Sequence, residues 1–312
     1  MALITIYFLQ ALAITALSPL LVGGIRKIKA YYQGREGARI TQPYRDLRKL
    51  FGKDEVIPED ASWVFYGAPY IVFGTTLAVA SGVPLILMGN TGSLGNIFVM
   101  VYTLALGTFF LGLAGMDAGS SFGGFGSSRE MTFSAIAEGV LLFSFLPLGL
   151  LASSSNIGDI ALYVRELSFT EMLPVVVAFV GFFIALLAET GRVPIDNPAT
   201  HLELTMVHEA MLLEYSGKRL ALMEWANANK LMIFVAIAGS VFFPWGVFDA
   251  RVPFDMLAAM TALGVFVFKC GMVAFGIATI ESMLAKLRIF RIPRLLFAGL
   301  IIGAVAFALV AV

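Results

Sequence analysis

The chain has 312 residues, of which 59% are hydrophobic and 13% charged, against roughly 45–50% and 25% in soluble domains, so a soluble globular protein is excluded. The 21 basic and 21 acidic residues cancel to a net charge of zero, which removes the basic surplus that nucleic-acid binding draws on. A lone cysteine, Cys270, rules out an internal disulfide, a four-cysteine zinc site and an iron–sulfur cluster held by this chain alone.

Eight stretches with few or no charges follow in order: residues 2–25, 61–90, 96–116, 131–153, 172–188, 231–248, 256–280 and 295–312. Each is close to the 17–25 residues that a helix needs to cross the hydrocarbon core. The apolar runs are continuous, not alternating, which excludes a β-barrel. The expected fold is an all-α polytopic membrane protein, a single membrane domain over 1–312 with about eight transmembrane helices. No basic residue precedes the first run and Arg26, Lys27 and Lys29 follow it, so it reads as a retained helix and not a signal peptide.

Between the runs, the first connection (26–60) holds nine basic and six acidic residues and fits a short amphipathic helix around Tyr44–Phe51. The third, from Gly115 to Glu130, is rich in Gly and Ser. No Gly-Lys-Ser/Thr follows it, so it reads as a flexible loop re-entering at membrane depth and not as a phosphate loop. The fifth, 189–230, carries His201, His208 and six acids. Connections one, three, five and seven hold eighteen of the 21 Lys and Arg, the even ones only Arg165 and Arg251, and Lys269 lies inside a helix. The positive-inside rule then sets the odd connections in the cytoplasm and both termini outside. That asymmetry gathers the soluble mass on one side, as a cytoplasmic docking partner requires.

A charge at mid-membrane costs about 2.5–3.5 kcal/mol on insertion scales, which makes each one a functional candidate. Glu138, two turns into the fourth run, and Lys269, near the middle of the seventh, are the most deeply placed. Glu130 and Glu189 lie at helix boundaries, where a charge can also simply reach water. Asp117 can equally be a cap. If the stretch after Pro198 is helical, Glu203 and Glu214 share a face at 3.6 residues per turn, and clustered carboxylates can relay protons. A solvated acidic face is the plainer alternative for that stripe. Glu209 points elsewhere on such a helix. His201 and His208 lack the His-Glu-x-x-His pattern of a zinc site and read as hydrogen-bonded or proton-carrying imidazoles.

The run Gln42-Pro-Tyr-Arg-Asp-Leu-Arg-Lys-Leu-Phe-Gly-Lys-Asp54 resembles the first loop of the H-type membrane protein family of respiratory complex I. Glu189-Thr-Gly-Arg-Val-Pro-Ile-Asp196 and Leu213-Glu-Tyr-Ser-Gly217 are similar to its long acidic loop. Tyr44-Arg-Asp46, Gly115 to Phe122 and the stretch from Asp196 to Met211 resemble the branch found in group 4 energy-converting hydrogenases of the formate hydrogenlyase type. The resemblance implies a non-catalytic subunit with no cofactor of its own, in the cytoplasmic membrane of a prokaryote. Its implied partners are a nickel–iron hydrogenase large subunit, an iron–sulfur small subunit and antiporter-like membrane subunits, with the nickel–iron centre and iron–sulfur clusters in those partners. The implied ion path runs through Glu138, Lys269, Glu203, Glu214, Glu189, Asp196 and Glu130. Module docking falls to Arg45, Asp46, Asp117 and Tyr215. Two other readings remain open: the H-type membrane protein of a quinone-reducing NADH dehydrogenase, and a stand-alone ion transporter.

Overall fold

Long apolar runs become long helices because no other backbone arrangement pairs its own N–H and C=O groups away from water. The structure is a computed structural model describing residues 2–85, 87–88, 92–197, 205–246, 248–249 and 256–311. In chain order the helices are α1 (Ala2–Tyr32), α2 (Gln42–Phe51), α3 (Trp63–Gly82), α4 (Ile97–Asp117), α5 (Ser121–Leu151), α6 (Ile157–Glu166), α7 (Leu173–Glu189), α8 (His208–Leu212), α9 (Gly217–Ile237), α10 (Met256–Met283) and α11 (Ile292–Ala311). A π-helical turn, Ala238–Phe242, extends α9. Among the described residues seven helices are long and apolar enough to cross a membrane, and α7, with 17 residues, is a shorter apolar one. At 1.5 Å per residue α7 is roughly 26 Å long, just short of the hydrocarbon thickness. The polytopic all-α architecture is as expected.

Helices α5, α7 and α11 pack together, α1, α3 and α9 form a second group, and α4 joins them by packing on both α3 and α5. Phe145, Phe182, Phe234 and Phe242 meet at their centre, with Phe182 within 5.0–5.9 Å of the other three ring centroids. Such tilted and edge contacts add to the area that the rings bury. A two-residue parallel pair, Leu87–Met88 with Phe248–Asp249, ties the segment after α3 to the segment after α9.

The Gly-rich third connection is not a loop: residues 121–130 are the opening turns of α5. Ser120 caps them by accepting from the Gly123 N–H at 3.0 Å. A Cβ at Gly126 would lie 2.8 Å from Ala210 Cβ and 2.9 Å from the Val207 carbonyl oxygen. The small residues let α5 sit directly against α8, the usual role of glycine in membrane helix contacts.

Connection four also holds a helix, α6, not expected as an element. It buries Ile157, Ile160, Ala161 and Val164, an i, i+3, i+4, i+7 stripe. The amphipathic helix expected around Tyr44–Phe51 is α2, tied to α1 by Tyr44 donating to the Ala16 carbonyl and by Arg26 with Asp46 at 4.0 Å.

Candidate functional site

Glu130, Ser134 and Glu138 recur every four residues on α5 and therefore share one face. Glu189, the last residue of α7, closes on that face and is 7% exposed. Its Oε2 lies 2.7 Å from Lys230 Nζ of α9, and its Oε1 accepts a long 3.5 Å bond from Ser134 Oγ. Lys230 also donates to Thr108 Oγ1 of α4 at 3.3 Å. A small cavity of about 10 Å³ brings Glu130, Ser134, Glu189 and Asp196 to one place. Three acids from α5, α7 and connection five thus line one cavity, with Lys230 paired to Glu189 beside it.

Asp196 is 3% exposed and acts as a clasp. Its Oδ2 accepts from the Val207 and His208 N–H groups at 3.2 and 3.0 Å, and its Oδ1 accepts from the Asn197 N–H at 2.8 Å and Lys286 Nζ at 2.9 Å. Connections five and seven are held together through this one carboxylate.

A further carboxylate, Glu281 of α10, is not singled out by the sequence. Its side chain is fully buried, with Lys29 Nζ at 2.8 Å and Arg192 Nη1 at 3.3 Å. A buried carboxylate needs such compensation. Lys29 and Arg192 also line a large cavity, about 860 Å³, together with Arg26, Asp46, Glu209 and Glu224. Glu209 is half-buried there, and its carboxyl is pushed up to about 7 by desolvation first, then by the nearby Glu224 and Asp196 charges, with Arg26 opposing. That value suits proton exchange near neutral pH. Lys230 and Glu281 are hard to see in the sequence because both lie just outside the apolar runs, where a charge reads as interfacial, and Glu209 because it falls on the wrong side of the helix expected after Pro198.

The other expected positions separate. Lys269 is 4% exposed and stands apart from the acids. Its stem packs on the π turn, 3.4 Å from where a Gly239 Cβ would be. Glu138 is half-buried and Glu214 exposed. Residues 205–207 are not helical and α8 ends at Leu212, so the continuous helix expected to bring Glu203 and Glu214 onto one face does not form; Glu203 and His201 lie outside the described residues. The His208 imidazole is held down to about 4, by burial first and then by Lys230. Among the described residues no group of three or more His, Cys, Asp or Glu is arranged to hold a metal ion.

Arg45 is exposed on α2, while Asp46 accepts from Gln42 Nε2 at 2.9 Å. Asp117 and Tyr215 face inward. Asp117 Oδ2 accepts from the Ser62 and Phe65 N–H groups at 2.9 and 3.1 Å. Tyr215 stacks on Phe65 at 4.1 Å and donates to its carbonyl at 3.0 Å. Both residues secure the start of α3, leaving Arg45 as the side chain of the four that is free to meet a partner surface.

Apolar helices wrapped around buried, paired charges define a polytopic membrane protein with ionisable groups in its interior. The chain belongs to the NADH dehydrogenase family, whose sequence model matches residues 4–312. It is 32% identical over 300 residues to formate hydrogenlyase subunit 4 of Escherichia coli (strain K12), covering 96% of each chain. It is also 32% identical over 299 residues to hydrogenase-4 component C of the same organism, covering 95% of this chain and 92% of the relative. The H-type membrane protein of the NADH-quinone oxidoreductase of Magnetococcus marinus (strain ATCC BAA-1437 / JCM 17883 / MC-1) is 28% identical over 265 residues, 82% of this chain and 73% of the relative. The resemblance to the hydrogenase branch and to the H-type proteins of complex I is borne out. A chain of the membrane-bound sulfane sulfur reductase, an archaeal respiratory membrane complex, superposes with a TM-score of 0.85 at 19% identity, covering 99% of this chain and 100% of that one. That likeness establishes the shared fold.

Proposed function

We propose that this chain is the membrane-anchoring, ion-path subunit of a respiratory membrane-bound nickel–iron hydrogenase complex. It couples hydrogen-forming electron transfer in a cytoplasmic module to H⁺ or Na⁺ translocation. The observation that carries the reading is the gathering of Glu189, Glu130 and Asp196 around one buried cavity, with Glu189 paired to Lys230 and Asp196 to Lys286. The 32% identity to two hydrogenase-complex proteins over nearly their whole length supports the type of module. In this reading the nickel–iron centre and iron–sulfur clusters belong to a large and a small partner subunit, and antiporter-like subunits flank the chain in the bilayer. The site is in the inner membrane of a prokaryote, with both termini outside. Electrons stay in the module, while this chain's acids take up and release protons or admit the coupling ion. Glu189, Glu130 and Glu138 form the intramembrane part of the path, Lys269 a separate buried group on it, and Asp196, Glu203 and Glu214 its loop part. Arg45, with Asp46 fixing α2, meets the module.

The test is to purify the complex through a tag on this chain. Nickel and hydrogen evolution in the purified material support the reading. The cavity of about 860 Å³, with polar and apolar walls, favours a second reading in which the chain is the H-type membrane protein of a quinone-reducing enzyme. Tightly bound quinone and inhibitor-sensitive quinone reduction, without nickel, would establish that one instead.

A further inference from the structure

Lys230 stands between two cavities. It pairs with Glu189, which lines the small acid cavity, and it also lines a separate cavity of about 30 Å³ between α3, α4, α8 and α9. The polar groups around this second cavity are Thr75, Thr76, Thr108, His208, Asn227 and Lys230. Along α9 it extends from Met223 to Lys230, seven residues or about 10 Å of rise. It therefore reaches from the end of the bundle where α8 lies to the depth of the ion pair. A water site needs on the order of 10–15 Å³ and two to four polar partners, and this cavity meets both requirements for one or two waters.

The hydrogen-bonding groups fit. Thr75 and Thr108 donate their hydroxyl protons to the Val72 and Leu104 carbonyls at 2.8 and 3.3 Å, which leaves oxygen lone pairs for a water. Among the described residues Lys230 has two partners, Glu189 and Thr108, so one of its three ammonium donors remains for water. His208 is held in its neutral form, able to accept a proton at one ring nitrogen and release one from the other. Beside the lining residue Thr76, Asn229 accepts from Ser18 Oγ at 2.7 Å and donates to Thr76 Oγ1 at 3.3 Å, an amide link between α1 and α3.

We propose that this cavity is a water-bearing proton inlet, running from His208 to Lys230 and lying beside the large cavity that holds Glu209, with which it shares Asn227. It rests on the ion-path reading and deepens it by naming how the central pair is recharged. Lys230 Nζ gives a proton to Glu189 Oε2, leaving a neutral amine and a neutral acid. The amine then takes a proton from the cavity water, which is resupplied through His208. No bond other than N–H and O–H forms or breaks, and the net change is one proton carried from the α8 side onto Glu189.

The test uses the intact complex in sealed vesicles, with ion movement measured per hydrogen formed, for Thr108→Val, Thr75→Val, Thr108→Ser and Glu189→Gln. The inlet predicts that Thr108→Val and Thr75→Val lose coupling to the level of Glu189→Gln while Thr108→Ser keeps it. Full coupling in Thr108→Val and Thr75→Val, with Glu189→Gln uncoupled, overturns the inlet and leaves the ion path standing. Full coupling in Glu189→Gln as well overturns both. Should the cavity variants fail to assemble, a high-resolution structure of the wild-type complex decides. Ordered water within hydrogen-bond distance of Lys230 Nζ and Thr75 Oγ1 supports the inlet, and a cavity without water there overturns it.

Discussion

Glu189 Oε2 and Lys230 Nζ, from two different helices, meet at 2.7 Å with side chains only 4% and 13% exposed. Removing one partner of such a buried pair leaves an uncompensated charge and costs about 3–5 kcal/mol, whereas removing both can be near neutral. Lys230→Met should therefore lower the thermal stability of the complex strongly, and Lys230→Met with Glu189→Leu should recover most of it. Thermal unfolding of the three proteins in detergent checks this. Equal losses in the single and double variants would mean that the pair is not coupled.

Glu209 gives a pH signature. Its folded value of about 7 lies above the ordinary 4.5, so the folded state holds more protons between those values. Its contribution is full below about 4.5 and is lost as pH rises toward 7. The shift corresponds to a contribution on the order of 3 kcal/mol. Glu209→Gln should flatten the fall in melting temperature between pH 5 and 7.5, and an unchanged pH profile would refute the assignment.

Gly126 and Gly124 form a matched contrast. Gly126→Val pushes a side chain into Ala210 and the Val207 carbonyl, and overpacking of this kind costs about 1–3 kcal/mol. It should also disturb the neighbouring Glu130. Gly124 has nothing within 4 Å of an added Cβ, so Gly124→Ala should be tolerated and gain up to about 1 kcal/mol of helix propensity. Melting temperatures of the two variants should move in opposite directions.

Orientation is testable by labelling. With single cysteines introduced at Arg48, Glu214 and Asp159, a membrane-impermeant reagent added to intact cells should label only the Asp159 position. Labelling at 48 or 214 from outside would invert the topology.

The apolar runs announce the spanning helices because hydrocarbon leaves the backbone no alternative, and α2 is legible from its alternation of basic and apolar faces. The α6 stripe of Ile157, Ile160, Ala161 and Val164 is present but hidden by the charges around it. Residues 121–130 mislead because glycine is a poor helix former in isolation, and the benefit it brings, contact with α8, is a tertiary property. The same holds for the charges. Glu138 and Lys269 stand out in sequence by depth alone, whereas the Lys230–Glu189 and Glu281–Arg192 pairs exist only once distant segments meet. Glu214 draws weight from an assumed continuous helix that ends at Leu212, and Glu209, discounted on that helix, faces the large cavity.

The most direct measurement is ion movement per hydrogen formed by the purified Glu189→Gln complex in sealed vesicles, with Glu138→Gln beside it and subunit composition confirmed. Gln keeps the shape of Glu and cannot carry a proton. The account predicts an assembled Glu189→Gln complex whose turnover no longer moves ions. Wild-type ion movement in that intact complex would contradict it.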